Sequence, residues 1–207
     1  RYTDREIGRL LDQAADRTNG ELGVVLTADH GEEFYDHGQY SHSPTLYDEL
    51  LHVPFIIDPP ESAGIDSTGP QAEPLELLDI APTVCDIAGV DSPSNYRGRS
   101  ALEVVGGGDD VAVVSETDLD EEYKLSLREA GWKFIWDREA DVQELFNLDA
   151  DPGETENLVD TYSDRAAEMR EVLLGHIEDL RESNEALPEV AMDSTTEERL
   201  KDLGYLD

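Results

Sequence analysis

The chain has 207 residues, with 50 Asp and Glu against 15 Lys and Arg and a formal net charge of −35. That excess of acid argues against a nucleic-acid backbone or an anionic membrane as a partner, while 38% hydrophobic residues suffice for a folded core. The acid is dispersed and lysine is confined to Lys124, Lys133 and Lys201, a composition expected of a high-salt cytoplasm, where salt screens self-repulsion.

Residues 3–16 read as an amphipathic helix. Ile7, Leu10, Leu11, Ala14 and Ala15 form its apolar stripe, Thr3 or Asp4 caps it, and Thr18-Asn19-Gly20 ends it. The apolar run at 22–27 reads as a buried strand of a parallel sheet, ending abruptly in Asp29, His30 and Gly31. Ligands of open α/β sheets bind beyond the carboxyl ends of strands, and Asp and His both ligate metals. The plainer alternative makes Asp29 a turn cap and His30 a half-buried polar residue. Gly31 is expected to let the backbone turn without a Cβ clash.

Four of the five histidines fall between His30 and His52. The polar stretch 32–43 reads as an active-site loop, 45–51 as a short helix, 53–57 as a second buried strand and 58–73 as a surface loop. Residues 76–88 read as a helix burying Leu77, Leu78, Ile80, Ala81, Val84 and Ile87, with Pro82 kinking it or marking a late start. Gly106-Gly107-Gly108-Asp109-Asp110 is the expected boundary between a domain at 1–105 and a subdomain at 106–207. Strand-like segments follow at 111–116, 123–128, 133–137 and 142–147. Their short turns imply antiparallel pairing. Residues 164–183 form an amphipathic helix on Ala166, Met169, Val172, Leu173, Ile177 and Leu180, and Thr195 with Glu198 caps a last short helix. Cys85 is the one cysteine, so no intrachain disulfide can form. No stretch approaches the roughly 18 apolar residues of a membrane span.

The block Thr27-Ala28-Asp29-His30-Gly31-Glu32-Glu33-Phe34, then Asp36-His37-Gly38, His42 and Leu46-Tyr47-Asp48-Glu49-Leu50-Leu51-His52-Val53-Pro54-Phe55-Ile56-Ile57, resembles the sulfatase family of the alkaline-phosphatase superfamily. The resemblance continues through Leu78-Asp79-Ile80-Ala81-Pro82-Thr83, Gly98-Arg99-Ser100, Glu144-Leu145-Phe146-Asn147-Leu148 and Asp151-Pro152-Gly153-Glu154 to Asn157-Leu158. It implies an α/β fold: the C-terminal part of an alkaline-phosphatase-like α/β/α sandwich, with a small antiparallel sheet packed by a helix. It implies hydrolysis of a small sulfate ester or sulfated carbohydrate at one divalent cation. Asp29 and His30 match the family's later pair of metal ligands. Ca²⁺ is the usual ion there, and the imidazole of His30 also suits Mn²⁺ or Zn²⁺. His42 falls where many members place a sulfate-contacting Lys, and is expected to act as a catalytic donor. His37 reads as a supporting or structural residue, His52 as a packing residue and His176 as structural.

The family's nucleophile, a formylglycine made within Cys/Ser-x-Pro-x-Arg, has no counterpart here. Cys85 precedes Asp86-Ile87 and reads as a buried structural thiol. Ser43-Pro44 lacks the spacing and the Arg. The family's N-terminal acidic ligands are missing as well, and the chain opens on Arg1. The expectation is therefore the C-terminal portion of an enzyme whose other half supplies the formylglycine, inactive alone. Two other readings fit these residues: a phosphatase, phosphodiesterase or phosphonate hydrolase of the same superfamily, and a non-catalytic acidic cation-binding module.

Overall fold

The structure, a computed structural model, describes residues 1–19, 21–42, 44–65, 69–104, 111–119, 122–185 and 199. The glycine-rich boundary at 106–110, Ser43 and the helix expected at Thr195 lie outside the described residues. Two compact units, Arg1–Arg170 and Glu171–Asp207, make up the chain. The second is described over the latter part of one helix, where Leu173 and Ile177 are buried, and at residue 199.

Helix α1 spans Tyr2–Thr18. Its N-cap is Arg1, with no side-chain cap, in place of the expected Thr3 or Asp4. Asn19 ends it in the left-handed conformation, φ 54°, its N–H donating to the Ala15 carbonyl. The stripe is not buried: no α1 residue is, and Leu10 is 66% exposed.

Strand β1, Val24–Leu26, pairs antiparallel with β4, Ile56–Asp58, with Val25 opposite Ile57. The parallel arrangement expected at 22–27 is thus corrected. A parallel return needs a crossover of a dozen or more residues, usually a helix. Among the described residues, the elements between these strands are the hairpin β2–β3 (Glu33–Phe34 and Tyr40–Ser41) and a one-turn helix, α2, Asp48–Leu51. Neither strand is buried as expected: β1 is half-buried and Ile56 is exposed.

Pro82 marks a late start. A single 3₁₀ turn, Leu77–Asp79, leads into α3, Ile80–Ile87. The expected buried face is reversed, because Asp79, Pro82 and Thr83 are buried while Leu77, Leu78, Ala81 and Val84 face out. Hydrogen bonds fix this orientation. Asp79 accepts from the N–H groups of Glu76 (2.9 Å) and Arg99 (2.7 Å), and Thr83 Oγ1 accepts from Ala101 N–H (2.8 Å) at the start of α4, Ala101–Val104. Any side chain at Gly98 would meet the Leu78 carbonyl at 2.0 Å, so that contact requires glycine. Cys85 is half-buried rather than buried.

The C-terminal strands form a four-stranded antiparallel meander: β5 (Val113–Leu119), β6 (Glu122–Glu129), β7 (Trp132–Asp137) and β8 (Val142–Asn147). The turn from β6 to β7 places Ala130 and Gly131 at φ 49° and 76°, the backbone of a two-residue hairpin matched to strand twist. Both faces of β7 are covered. On one, Ile135 and Phe146 pack with Leu46 and Leu148. On the other, Trp132 meets Tyr162, and Arg170, near the start of α5 (Ser163–Glu185), lies over Trp136 at 4.4 Å. The fold is α/β, an antiparallel sheet with helices.

Candidate functional site

Beyond β1 the backbone is drawn against α2. Gly31 N–H donates to the Leu50 carbonyl (2.8 Å) and Glu32 N–H to that of Glu49 (3.2 Å). A Cβ on Gly31 would sit 1.9 Å from the Glu49 carbonyl oxygen. Glycine is required by this approach, not by a left-handed turn. The loop then presents Asp29 and His30 outward, 88% and 47% exposed.

The hairpin β2–β3 returns His42 to the same place. The His30 and His42 rings lie 4.9 Å apart. His42 Nδ1 is 3.2 Å from Ser41 Oγ and 3.8 Å from the Glu32 carboxylate. All three expected site residues are therefore brought to one open face.

Among the described residues, no three His, Cys, Asp or Glu side chains gather as a cation site. Asp29 and His30 fit as two ligands of a shared ion. The Gly31 carbonyl can only accept, so His30 Nδ1 donates to it (2.8 Å) and the Nε2 lone pair remains for a metal. Nε2 lies 3.9 Å from Asp29 Oδ2, a gap that one ion bound at roughly 2.0–2.6 Å to each spans.

A buried polar network joins α2 to β7 and to the turn after β8. Lys133, 1% exposed, pairs with Asp48 Oδ1 and Glu154 Oε1, each at 2.7 Å. Arg128 takes Asp48 Oδ2 at 2.8 Å, and Glu154 Oε2 accepts from Asp48 N–H at 2.6 Å. Burial alone would push Asp48 up, but the Lys133 ammonium, with Arg128, holds it below the usual carboxylate value of 3.8. Glu154 goes the other way: burial raises it despite Lys133. Tyr47 donates to both oxygens of Glu144 at 3.1 Å, and burial, with Glu144 beside it, pushes the phenol up. His37 stacks on Tyr47, ring centroids 3.6 Å apart.

The sequence reading missed Lys133 and Glu154 as partners. The available signal was a lysine inside an apolar strand of a chain with three lysines. His52, expected to pack, is exposed at the C-terminus of α2, whereas His176 is half-buried within α5.

The family described as N-sulphoglucosamine sulphohydrolase, C-terminal, matches residues 35–183. A Delta 4,5-hexuronate-2-O-sulfatase of Bacteroides thetaiotaomicron is 32% identical over 170 residues, covering 74% of this chain and 34% of its own. Arylsulfatase K of Danio rerio is 30% identical over 190 residues, covering 83% and 34%. This chain thus spans about a third of the length of the curated relatives it matches. Among solved structures, a 2-O GAG sulfatase superposes with TM-score 0.66 at 29% identity, over 84% of this chain and 40% of that one. A protein solved with its substrate D-glucosamine-2-N,6-O-disulfate superposes with TM-score 0.73 at 23% identity, over 86% and 39%, a likeness of fold.

Proposed function

The chain belongs to the family of N-sulphoglucosamine sulphohydrolase C-terminal domains, and on that premise we propose that it forms one wall of the active site of a metal-dependent sulfuric ester hydrolase. The observation that carries the proposal is the convergence of Asp29, His30 and His42 on one exposed face, the two imidazoles 4.9 Å apart. Asp29 and His30 hold one divalent cation, Ca²⁺ or, given the imidazole, Mn²⁺ or Zn²⁺. When bound, that ion supplies charge neutralisation for the sulfate oxygens.

His42 donates to an oxygen of the sulfuryl group or to the leaving oxygen. The Glu32 carboxylate lies 3.8 Å from its Nδ1, and a donor at this position stabilises negative charge on the transferring group. The alcohol part of the substrate is a carbohydrate, a reading supported by the hexuronate sulfatase among the relatives. The Cys/Ser-x-Pro-x-Arg pattern occurs nowhere in the 207 residues. The formylglycine nucleophile and the remaining metal ligands therefore belong to a part of the enzyme outside them, and the acid-rich composition supports a high-salt cytoplasm as its setting.

The test is metal analysis and turnover of an aryl sulfate and an aryl phosphate by the complete protein, by its Asp29→Ala variant and by residues 1–207 alone. The complete protein should bind metal and cleave the sulfate, Asp29→Ala should lose both properties, and residues 1–207 should cleave neither ester. Equal metal content and activity in Asp29→Ala would overturn the site. Cleavage of the phosphate alone would move the assignment to phosphoryl transfer.

A further inference from the structure

We propose that His37 is a positioning residue, a doubly protonated imidazolium that ties the hairpin bearing His42 to the turn at Glu154. Its two ring nitrogens face two acceptors: Nδ1 lies 2.5 Å from Glu49 Oε1, and Nε2 lies 3.1 Å from the Glu154 backbone carbonyl. A neutral ring carries one N–H and serves one of these. The side chain is 15% exposed, so water is poorly placed to replace the other donor. The ring also lies nearly parallel to Tyr47, at 7°, and an aromatic face attracts a cation.

The titratable groups facing His37 are Glu49 from α2, Tyr47 before it, and Glu154 from the turn after β8. Glu144 lies behind Tyr47, and Lys133 and Asp48 lie one contact further. Burial alone would lower the His37 pKa. The hydrogen bonds to Glu49 and the Glu154 carbonyl, with the charges of both glutamates, raise it above 6.5. The stabilisation is then complete below pH 6.5 and is lost as pH rises through the raised native value.

The hairpin needs such a tie. Tyr35 and Ser41 are held at φ 83° and 77°, conformations that persist only where surrounding contacts impose them. His37 lies between these residues, and His42 follows Ser41 directly. Deprotonation would remove one donor, release either Glu49 or the Glu154 carbonyl, and loosen the segment that places His42. The positioning role rests on His42 acting as proposed above, whereas the protonation state does not.

The closing experiment has two arms on the complete protein. Imidazole ¹⁵N NMR, assigned with His37→Gln, should show both His37 nitrogens protonated at neutral pH. Glu49→Gln keeps a hydrogen-bonding partner but removes the charge, and should move the His37 titration down by about one pKa unit or more. In the second arm, the alkaline limb of kcat against an aryl sulfate should move down with that titration in Glu49→Gln, with KM unchanged. A single N–H on His37 at neutral pH, or a His37 titration unmoved by Glu49→Gln, would overturn the clamp. A moved titration with an unmoved kcat limb would overturn positioning. Doubly protonated His37 in a protein that cleaves no sulfate ester would instead sink the proposed function and leave the clamp standing.

Discussion

Strands β7 and β1 are both short and rich in apolar residues, yet they end in opposite circumstances. The inner residues of β7 are buried on both faces, and the charged one among them, Lys133, is paired twice. β1 is half-buried against an exposed partner and opens onto Asp29, His30 and His42, all facing solvent. The first region pairs its buried charge internally and so behaves as support. The second leaves lone pairs and charges outward, which is what a ligand needs. Burial of charge marks stability in one place, and the proposed chemistry rests on its exposure in the other.

The comparison breaks most readily at Lys133. Lys133→Met leaves Glu154 buried without its cation and Asp48 with Arg128 alone, and should cost about 3–5 kcal/mol, read as a fall in the urea midpoint. The acid limb should follow. Asp48, held below 3.8, contributes stability above pH 3.8 that is lost as pH falls through its lower native value, and Lys133→Met should flatten that dependence. A loss below about 1 kcal/mol would mean the network is only surface-like.

His42→Ala should do the reverse: kcat for an aryl sulfate falls by about 10²-fold with the urea midpoint unmoved, since the side chain is 62% exposed. If stability fell as well, the open face would be structural and the contrast false. A smaller effect is expected at Asn157, which accepts from Leu145 N–H (3.1 Å) and Val159 N–H (3.0 Å) and donates to the Gln143 carbonyl (3.2 Å). Asn157→Ala should cost about 1–3 kcal/mol and leave kcat alone.

Salt sharpens the contrast through many weak contributions. Raising it shortens the Debye length from about 10 Å at 0.1 M to about 3 Å at 1 M, so a chain of charge −35 should show a rising Tm. The Lys133→Met deficit should persist across the same range, because its carboxylates are screened far less. A flat Tm would remove the high-salt reading.

Much of the supporting sheet was legible from its residues. Strand-like segments and the short Ala130-Gly131 turn placed β6, β7 and β8 within a residue of their observed positions, because strand and turn preferences are local. The candidate site was legible only as a motif; its convergence depends on a hairpin return that no local pattern encodes. The face of α3 was misread because hydrogen bonds of Asp79 and Thr83 outweighed its apolar residues. Gly31 was noticed for the wrong reason, since its constraint comes from a carbonyl 18 positions away in sequence. The buried Lys133 escaped notice because its partners lie 85 residues earlier and on a later turn.

Both tryptophans of the chain lie on β7, and the guanidiniums of Arg138 and Arg170 are 5.4 and 4.4 Å from the Trp136 ring. Intrinsic tryptophan emission from these residues therefore watches one strand. An unfolding trace followed by that light would record the opening of the meander and stay dark to any earlier fraying of the loop at Asp29. A fluorophore on that loop would be needed to see the two regions part company.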